Sequence, residues 1–81
     1  MTAKEHLEWA TERALEYFDA DEHAGAIASF ISDVGKHDGT AHIQRHEFTL
    51  MLLEDGYSRG RQAFRDSMLG FAVIEQGTPA G

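Results

Sequence analysis

The sequence predicts an all-α fold, a compact antiparallel bundle of about four helices arranged as two helical hairpins. Apolar residues recur at three- and four-residue spacing, and the strict alternation typical of β-strands is absent. The single proline, Pro79, lies near the end of the chain, so no earlier segment is barred from forming a helix. Short links between the periodic segments favour helices that pack against their neighbours in sequence.

The first two helices are predicted from their N-terminal signals. Thr2 and Glu5 are spaced as a capping box ahead of a first helix that runs through about Ala20. Its apolar stripe, which we expect in the core, consists of Leu7, Ala10, Ala14, Tyr17 and Phe18. Asp21 is a typical N-cap for a second helix that runs to about Val34. Its expected buried residues are Ala24, Ile27, Ala28, Phe30 or Ile31, and Val34.

Two further helices are predicted in the second half. Thr40 is expected to cap a third helix that runs to about Asp55, where Gly56 can adopt the left-handed conformation that ends helices. This helix is apolar on most of its circumference, so we expect it to be the most buried. Ser58 is expected to cap a fourth helix that runs to about Glu75. Its predicted core residues are Phe64, Met68, Phe71 and Ile74.

Length and composition describe one small domain. We expect residues 1–76 of the 81-residue chain to form a single helical domain and residues 77–81 a flexible tail. The chain has no cysteine, which excludes disulfides and thiolate zinc sites and fits a reducing compartment. No apolar stretch is long enough to span a membrane, so we expect no membrane partner. The absence of cysteine fits the cytoplasmic location that we expect.

The charge of the chain is acidic and unevenly distributed. The formal net charge is −7, and residues 1–40 hold nine acids against three bases. Direct binding to nucleic acid requires a basic surface, so we expect none. The carboxylates suggest a further hypothesis, a DNA mimic that occupies a nucleic-acid-binding protein, although a charge of −7 spread over a whole domain is small for that role.

The segment KHDGTAHIQRHEF, residues 36–48, contains three histidines. His42 and His46 are four residues apart on the predicted third helix, so both rings would lie on one face and could share a metal, with His37 or Asp38 as a third ligand. However, HIQRHE is not the HExxH motif of zinc proteases, and His46 falls on the apolar arc of the helix. We therefore expect no metal and no cofactor. A metal-binding helical protein remains the alternative function.

No arrangement typical of an enzyme is present in the sequence. The serines lack a glycine-framed nucleophile elbow. GYSRGRQ places glycine and arginine ahead of a helix but lacks the spacing of a phosphate-binding loop. The carboxylates of the first helix recur along one exposed face, which is typical of solvation. We therefore expect a protein without enzymatic activity.

Trp9 lies opposite the apolar stripe of the first helix, on a face that also carries Glu5, Glu12, Arg13 and Glu16. Tryptophan is the residue type most enriched at binding hot spots, so this face is a candidate surface for a protein partner. Alternatively, Trp9 packs against the tail or the fourth helix and is shielded by Arg13. Both interpretations fit the sequence.

Three segments carry a resemblance to a known family: EHLEWATERALEYFD, AIASFISDVGKHDGTA and LMLLEDG. Over about residues 2–71 the chain resembles small, mostly uncharacterised proteins encoded by phages of actinobacteria, although these often have Gly-Asp where this chain has Ala20 and Asp21. The resemblance implies a bacterial host cytoplasm and a host or phage protein as partner. It implies no activity and no catalytic residue.

Together these observations predict a small acidic interaction protein. A homodimer is a further expectation, because so short a bundle with an apolar third helix gains buried surface by association.

Overall fold

The computed structural model describes residues 1–74 and the side chains of residues 1–72, and it shows an all-α fold. Five helices follow one another in this part of the chain: α1 (Ala3–Asp19), α2 (His23–Val34), α3 (Ala41–Arg45), α4 (Thr49–Arg59) and α5 (Arg61–Ile74). The pairs α1–α2 and α4–α5 form two helical hairpins, as predicted. Glu75, the predicted tail and the side chain of Ile74 lie outside the described residues.

The start of α1 agrees with the prediction, and the start of α2 does not. The Glu5 N–H donates to Thr2 Oγ1 at 3.1 Å, and the Thr2 N–H donates to the Glu5 carboxylate at 2.9 Å, which forms the capping box. Asp21 is not the N-cap of α2; it has a φ of 63°, and Glu22 precedes α2 instead. Aspartate tolerates this left-handed conformation better than most residues, so Asp21 can occupy the turn between the helices.

The predicted third helix is interrupted and forms two helices. α3 ends after five residues, and His46 has the extended backbone angles φ −70° and ψ 131°. The Thr49 hydroxyl donates to the Ile43 carbonyl at 2.7 Å, which satisfies an acceptor that a continuous helix would have used itself. Thr40 does not cap α3 with its side chain; its hydroxyl donates to the Val34 carbonyl at the end of α2, also at 2.7 Å.

Two glycines determine the bounds of the helices in the second hairpin, and they show that the predicted end of the third helix at Gly56 is wrong. Gly56 lies inside α4, buried where an added Cβ would collide with the Ser67 side chain of α5. Gly60 ends α4 instead, with a φ of 116°, and α5 begins at the next residue. Ser58 therefore caps no helix, and its hydroxyl donates to the Asp55 carbonyl within α4 at 2.8 Å.

The four longer helices alternate in direction. Arg61 at the start of α5 donates to the Asp19 carboxylate at the end of α1, at 2.8 and 3.2 Å. The ring of His23 at the start of α2 stacks on Tyr57 near the end of α4, with 4.2 Å between centroids. α1 packs closely on α2 and α5, and α4 packs on α5, whereas α2 and α4 touch only sparsely. The side of the bundle between α2 and α4 is therefore open.

All five helices contribute apolar residues to the core, which contains Leu7, Ala10, Ala14, Leu15, Ala26, Ile27, Phe30, Val34, Ile43, Leu53, Phe64, Met68 and Phe71. Three predicted core residues, Tyr17, Ala24 and Ala28, are exposed instead. The expectation that the third helix is the most buried is also wrong. Most of the large apolar residues of α4 face solvent, because the helix has one buried side and apolar residues on all sides.

Candidate interaction surfaces

Trp9, the predicted partner anchor, lies on the outer side of α1 with 37% of its surface exposed. The His6 ring lies 5.1 Å from the Trp9 ring, and the guanidinium carbon of Arg13 lies 5.0 Å above it. The indole is thus partly covered by side chains of its own helix and partly open to solvent. Of the second sequence interpretation, the shielding by Arg13 is present, whereas the tail on which Trp9 could pack lies outside the described residues.

Arg13 is held in place by a buried carboxylate that sequence reasoning missed. Arg13 Nε donates to Asp33 Oδ2 at 2.7 Å, Lys36 Nζ lies 3.1 Å from Asp33 Oδ1, and the Asp33 side chain is only 2% exposed. Burial raises the pKa of Asp33, but the hydrogen bonds from Arg13 and Lys36 outweigh this effect and hold that pKa below its ordinary value. Arg13 therefore joins α1 to α2 and covers one part of Trp9.

The His6 ring beside the tryptophan stacks on a second histidine ring, that of His37. His6 is buried, and its ring centroid lies 5.1 Å from that of His37. His6 Nε2 donates to the Asp33 carbonyl at 2.6 Å, and His37 Nε2 donates to the Met1 carbonyl at 2.8 Å. His37 Nδ1 accepts the Gly39 N–H at 2.9 Å. These contacts tie the start of the chain to the link between α2 and α3.

The predicted carboxylates of the α1 surface have different roles. The backbone N–H at the start of the helix donates to Glu5, and this hydrogen bond holds the pKa of Glu5 below its ordinary value. Glu12 and Glu16 are exposed. Of the charged residues predicted to bind a partner, Glu5 and Arg13 therefore stabilise the helical hairpin itself, and Glu12 and Glu16 face solvent beside the tryptophan.

The candidate metal ligands are not brought together. His42 lies in α3, and its Nε2 is buried without a hydrogen-bond partner among the described residues. His46 lies beyond the end of α3, where its Nδ1 accepts the Phe48 N–H at 3.2 Å. Within residues 1–74, no three His, Cys, Asp or Glu side chains, including Asp38 and His37, are grouped so that they could hold a metal.

The largest departure from the sequence prediction is an exposed apolar surface at the start of α4. Phe48 is 48% exposed, Leu50 53%, Met51 59% and Leu52 37%; we call these four residues the α4 patch. They occupy adjacent sequence positions around Thr49, which is buried. The sequence shows the run of apolar residues. It does not predict the helix break before α4, which leaves these side chains exposed to solvent.

A groove lies on the open side of the bundle, between α2 and α4. It has a volume of about 600 Å³ and is lined by Ala24, Ile27, Ala28, Ile31, Ser32, Gln44 and Glu54; we call it the α2–α4 groove. Its α2 wall is made largely of small or apolar side chains. Leu50 precedes Glu54 by four residues on α4, so both lie on one face of the helix, and the α4 patch adjoins the groove at Leu50.

None of the comparisons gives a relative. No protein-family model matches the chain, and no curated protein and no solved structure is significantly similar to it. Within residues 1–74, no helix has the length and apolar character needed to cross a membrane.

Proposed function

We propose that the chain is a non-enzymatic interaction protein that binds another protein chain through the α4 patch. One observation carries this proposal: four large apolar side chains, all close in sequence, are 37–59% exposed at one end of α4. Together they expose on the order of 350 Å² of apolar surface, an amount that is often functional on a monomer. Apolar side chains on most of the circumference of a helix are normally buried, and at the start of α4 a partner supplies the missing cover.

The α1 surface is proposed as a second, smaller contact region. Trp9 presents an aromatic ring, and the exposed carboxylates of Glu12 and Glu16 follow it on the same side of α1, which suits a partner with basic groups at its rim. Because Arg13 and His6 already cover part of the indole, Trp9 has less free surface to offer than Met51. We therefore assign the main contact to the α4 patch.

The cellular setting is proposed from the sequence resemblance alone: a bacterial host cytoplasm, with a host or phage protein as partner. The metal-binding alternative has less support, because no three His, Cys, Asp or Glu side chains within residues 1–74 are grouped so that they could hold a metal. The DNA-mimic hypothesis is also weaker, because Glu5 is engaged in the cap of α1.

Site-specific photo-crosslinking tests the proposed contact. A photoreactive benzoylphenylalanine replaces Met51 in the α4 patch or, as a matched control, the exposed Gln62 on α5, and the protein is produced in the cells that encode it. We expect a covalent adduct with a defined protein from position 51 and none from position 62. Equal adducts from both positions, or no adduct from position 51, would contradict the proposal.

A further inference from the structure

We infer that the chain bound by the α4 patch is a second copy of this protein, with α4 of each copy seated in the α2–α4 groove of the other. This inference rests on the proposed function and specifies its partner. It is carried by three features of the open side of the bundle: its shape, its charge and its extent.

The shape of this side is self-complementary. Leu50 and Met51 project from α4 with more than half of their surface exposed. Ala24 and Ala28, one turn apart on α2, are exposed in the adjoining groove, and such small side chains let another helix approach closely. A two-fold axis beside α4 would place each α4 patch on the other copy's groove, as in an isologous dimer.

The open side of the bundle carries less net negative charge than α1, so two copies repel each other less when they meet through this side. Residues 1–22 hold seven acids against two bases, whereas residues 23–60 hold five acids against three. Among these five, Asp33 is buried against α1, and Asp55 is paired with Arg59 at 3.1 Å. Glu54 in the groove wall is bonded to His23 of the same copy. The densest negative charge therefore lies on α1, outside the proposed interface, where it repels a second copy least.

The area of the proposed interface indicates how tightly the two copies bind. The patch and the groove of a chain of 81 residues make an interface in the small, weak class, below about 600 Å² per partner. We therefore expect a reversible dimer whose population depends on protein concentration.

Sedimentation equilibrium of the purified chain tests this inference over about 5 to 500 µM. We expect the wild-type mass to rise from that of one chain toward that of two. Met51→Glu, in the patch, and Ala28→Arg, in the groove, should each raise the dissociation constant at least about tenfold. Gln62→Glu adds the same charge as Met51→Glu on an exposed position of α5 and should leave the dissociation constant unchanged. Far-UV circular dichroism shows that each variant is folded.

A wild-type chain that stays monomeric throughout would overturn the inference, as would a dimer whose dissociation constant is not raised by both Met51→Glu and Ala28→Arg. The crosslinking experiment separates this failure from that of the proposed function. A monomeric chain whose position 51 captures a different protein contradicts the dimer and supports the proposed function. A monomer that captures nothing contradicts both.

Discussion

Asp33 is the residue on which the polar contacts of the first hairpin converge. Its carboxylate is bonded to Arg13, Lys36 and Ser29, and its backbone carbonyl accepts from His6. These bonds replace the water that the carboxylate loses when it is buried. Through Arg13 they also determine how much of the neighbouring tryptophan is covered.

Replacing this carboxylate should destabilise the fold. We expect Asp33→Asn to lower the free energy of unfolding by about 2 kcal/mol, because the ion pairs are lost while the buried site remains polar. The value is modest because Arg13 and Lys36 are themselves 43% and 58% exposed and their charges are partly screened. Urea unfolding measures the change. Asp38→Asn, at an exposed position, is the control and should change stability by less than about 0.5 kcal/mol.

The contribution of Asp33 should also depend on pH. Its pKa in the folded protein is lowered, so its stabilisation is fully present above the unfolded value of about 3.9 and is lost as the pH falls through the folded value. The stability difference between wild type and Asp33→Asn should therefore be constant from pH 7 to about pH 5 and shrink below about pH 4. Urea unfolding of both proteins at each pH provides the measurement. A difference that grows on acidification would contradict the assignment.

Trp9 should behave as a half-packed residue. Because 37% of it is exposed, Trp9→Ala should cost about 1 kcal/mol of unfolding free energy, well short of the 3–5 kcal/mol typical of buried tryptophan. Denaturation followed by circular dichroism measures this change. The wild type has one tryptophan, and we expect acrylamide to quench its fluorescence. Protected emission together with a loss of more than 3 kcal/mol would show that Trp9 belongs to the core.

At the scale of elements, the lengths of the helices follow from a few local hydrogen bonds and glycines. Thr49 and Thr40 each donate a hydroxyl proton to a carbonyl at the end of the preceding helix, which stabilises the chain where it leaves α3 and α2. Gly60, rather than Gly56, ends α4 because it adopts a backbone conformation that favours glycine. The positions at which α3 ends and α4 begins therefore determine that the side chains of the α4 patch face solvent.

Two glycine substitutions should therefore change stability in opposite directions. Gly60→Ala should destabilise the protein by about 1–2 kcal/mol, because its φ of 116° is strained for alanine, although no atom lies within 4 Å of the added Cβ. Gly70→Ala, in the interior of α5 with equally open space, should stabilise it by about 0.5–1 kcal/mol. Thermal or urea unfolding compares them. Equal changes in the free energy of unfolding for the two variants would show that the φ angle of Gly60 does not determine the effect of its substitution.

Periodicity and capping residues predicted the fold class, the two hairpins and the N-terminus of α1 from the sequence. They did not predict the break after α3, because the side chains of Thr40 and Thr49 can either cap their own helix or bond a preceding carbonyl, and tertiary packing decides between these. Asp33 was missed for a related reason. Its bonding to Arg13 depends on how α1 and α2 align, which no local pattern in the sequence records.

At the scale of the whole molecule, the bundle is closed on three sides and open on the fourth. The close packing of α1 with α2 and α5, and of α4 with α5, buries the core, whereas α2 and α4 leave the groove between them. The α4 patch adjoins this groove at Leu50, so exposed apolar side chains lie beside a sparsely packed pair of helices. A partner seated there would complete the bundle.

Accessibility of the methionine methyl groups in the dissolved protein tests this claim most directly. Met51 is 59% exposed and Met68 is fully buried, so a soluble paramagnetic agent should broaden the ¹³C-methyl NMR signal of Met51 and spare that of Met68 in dilute protein. On concentration to about 500 µM, where a weak dimer forms, the Met51 signal should become protected. A Met51 methyl as protected as that of Met68 in dilute protein would show that α4 is buried in the isolated chain, and would contradict the account.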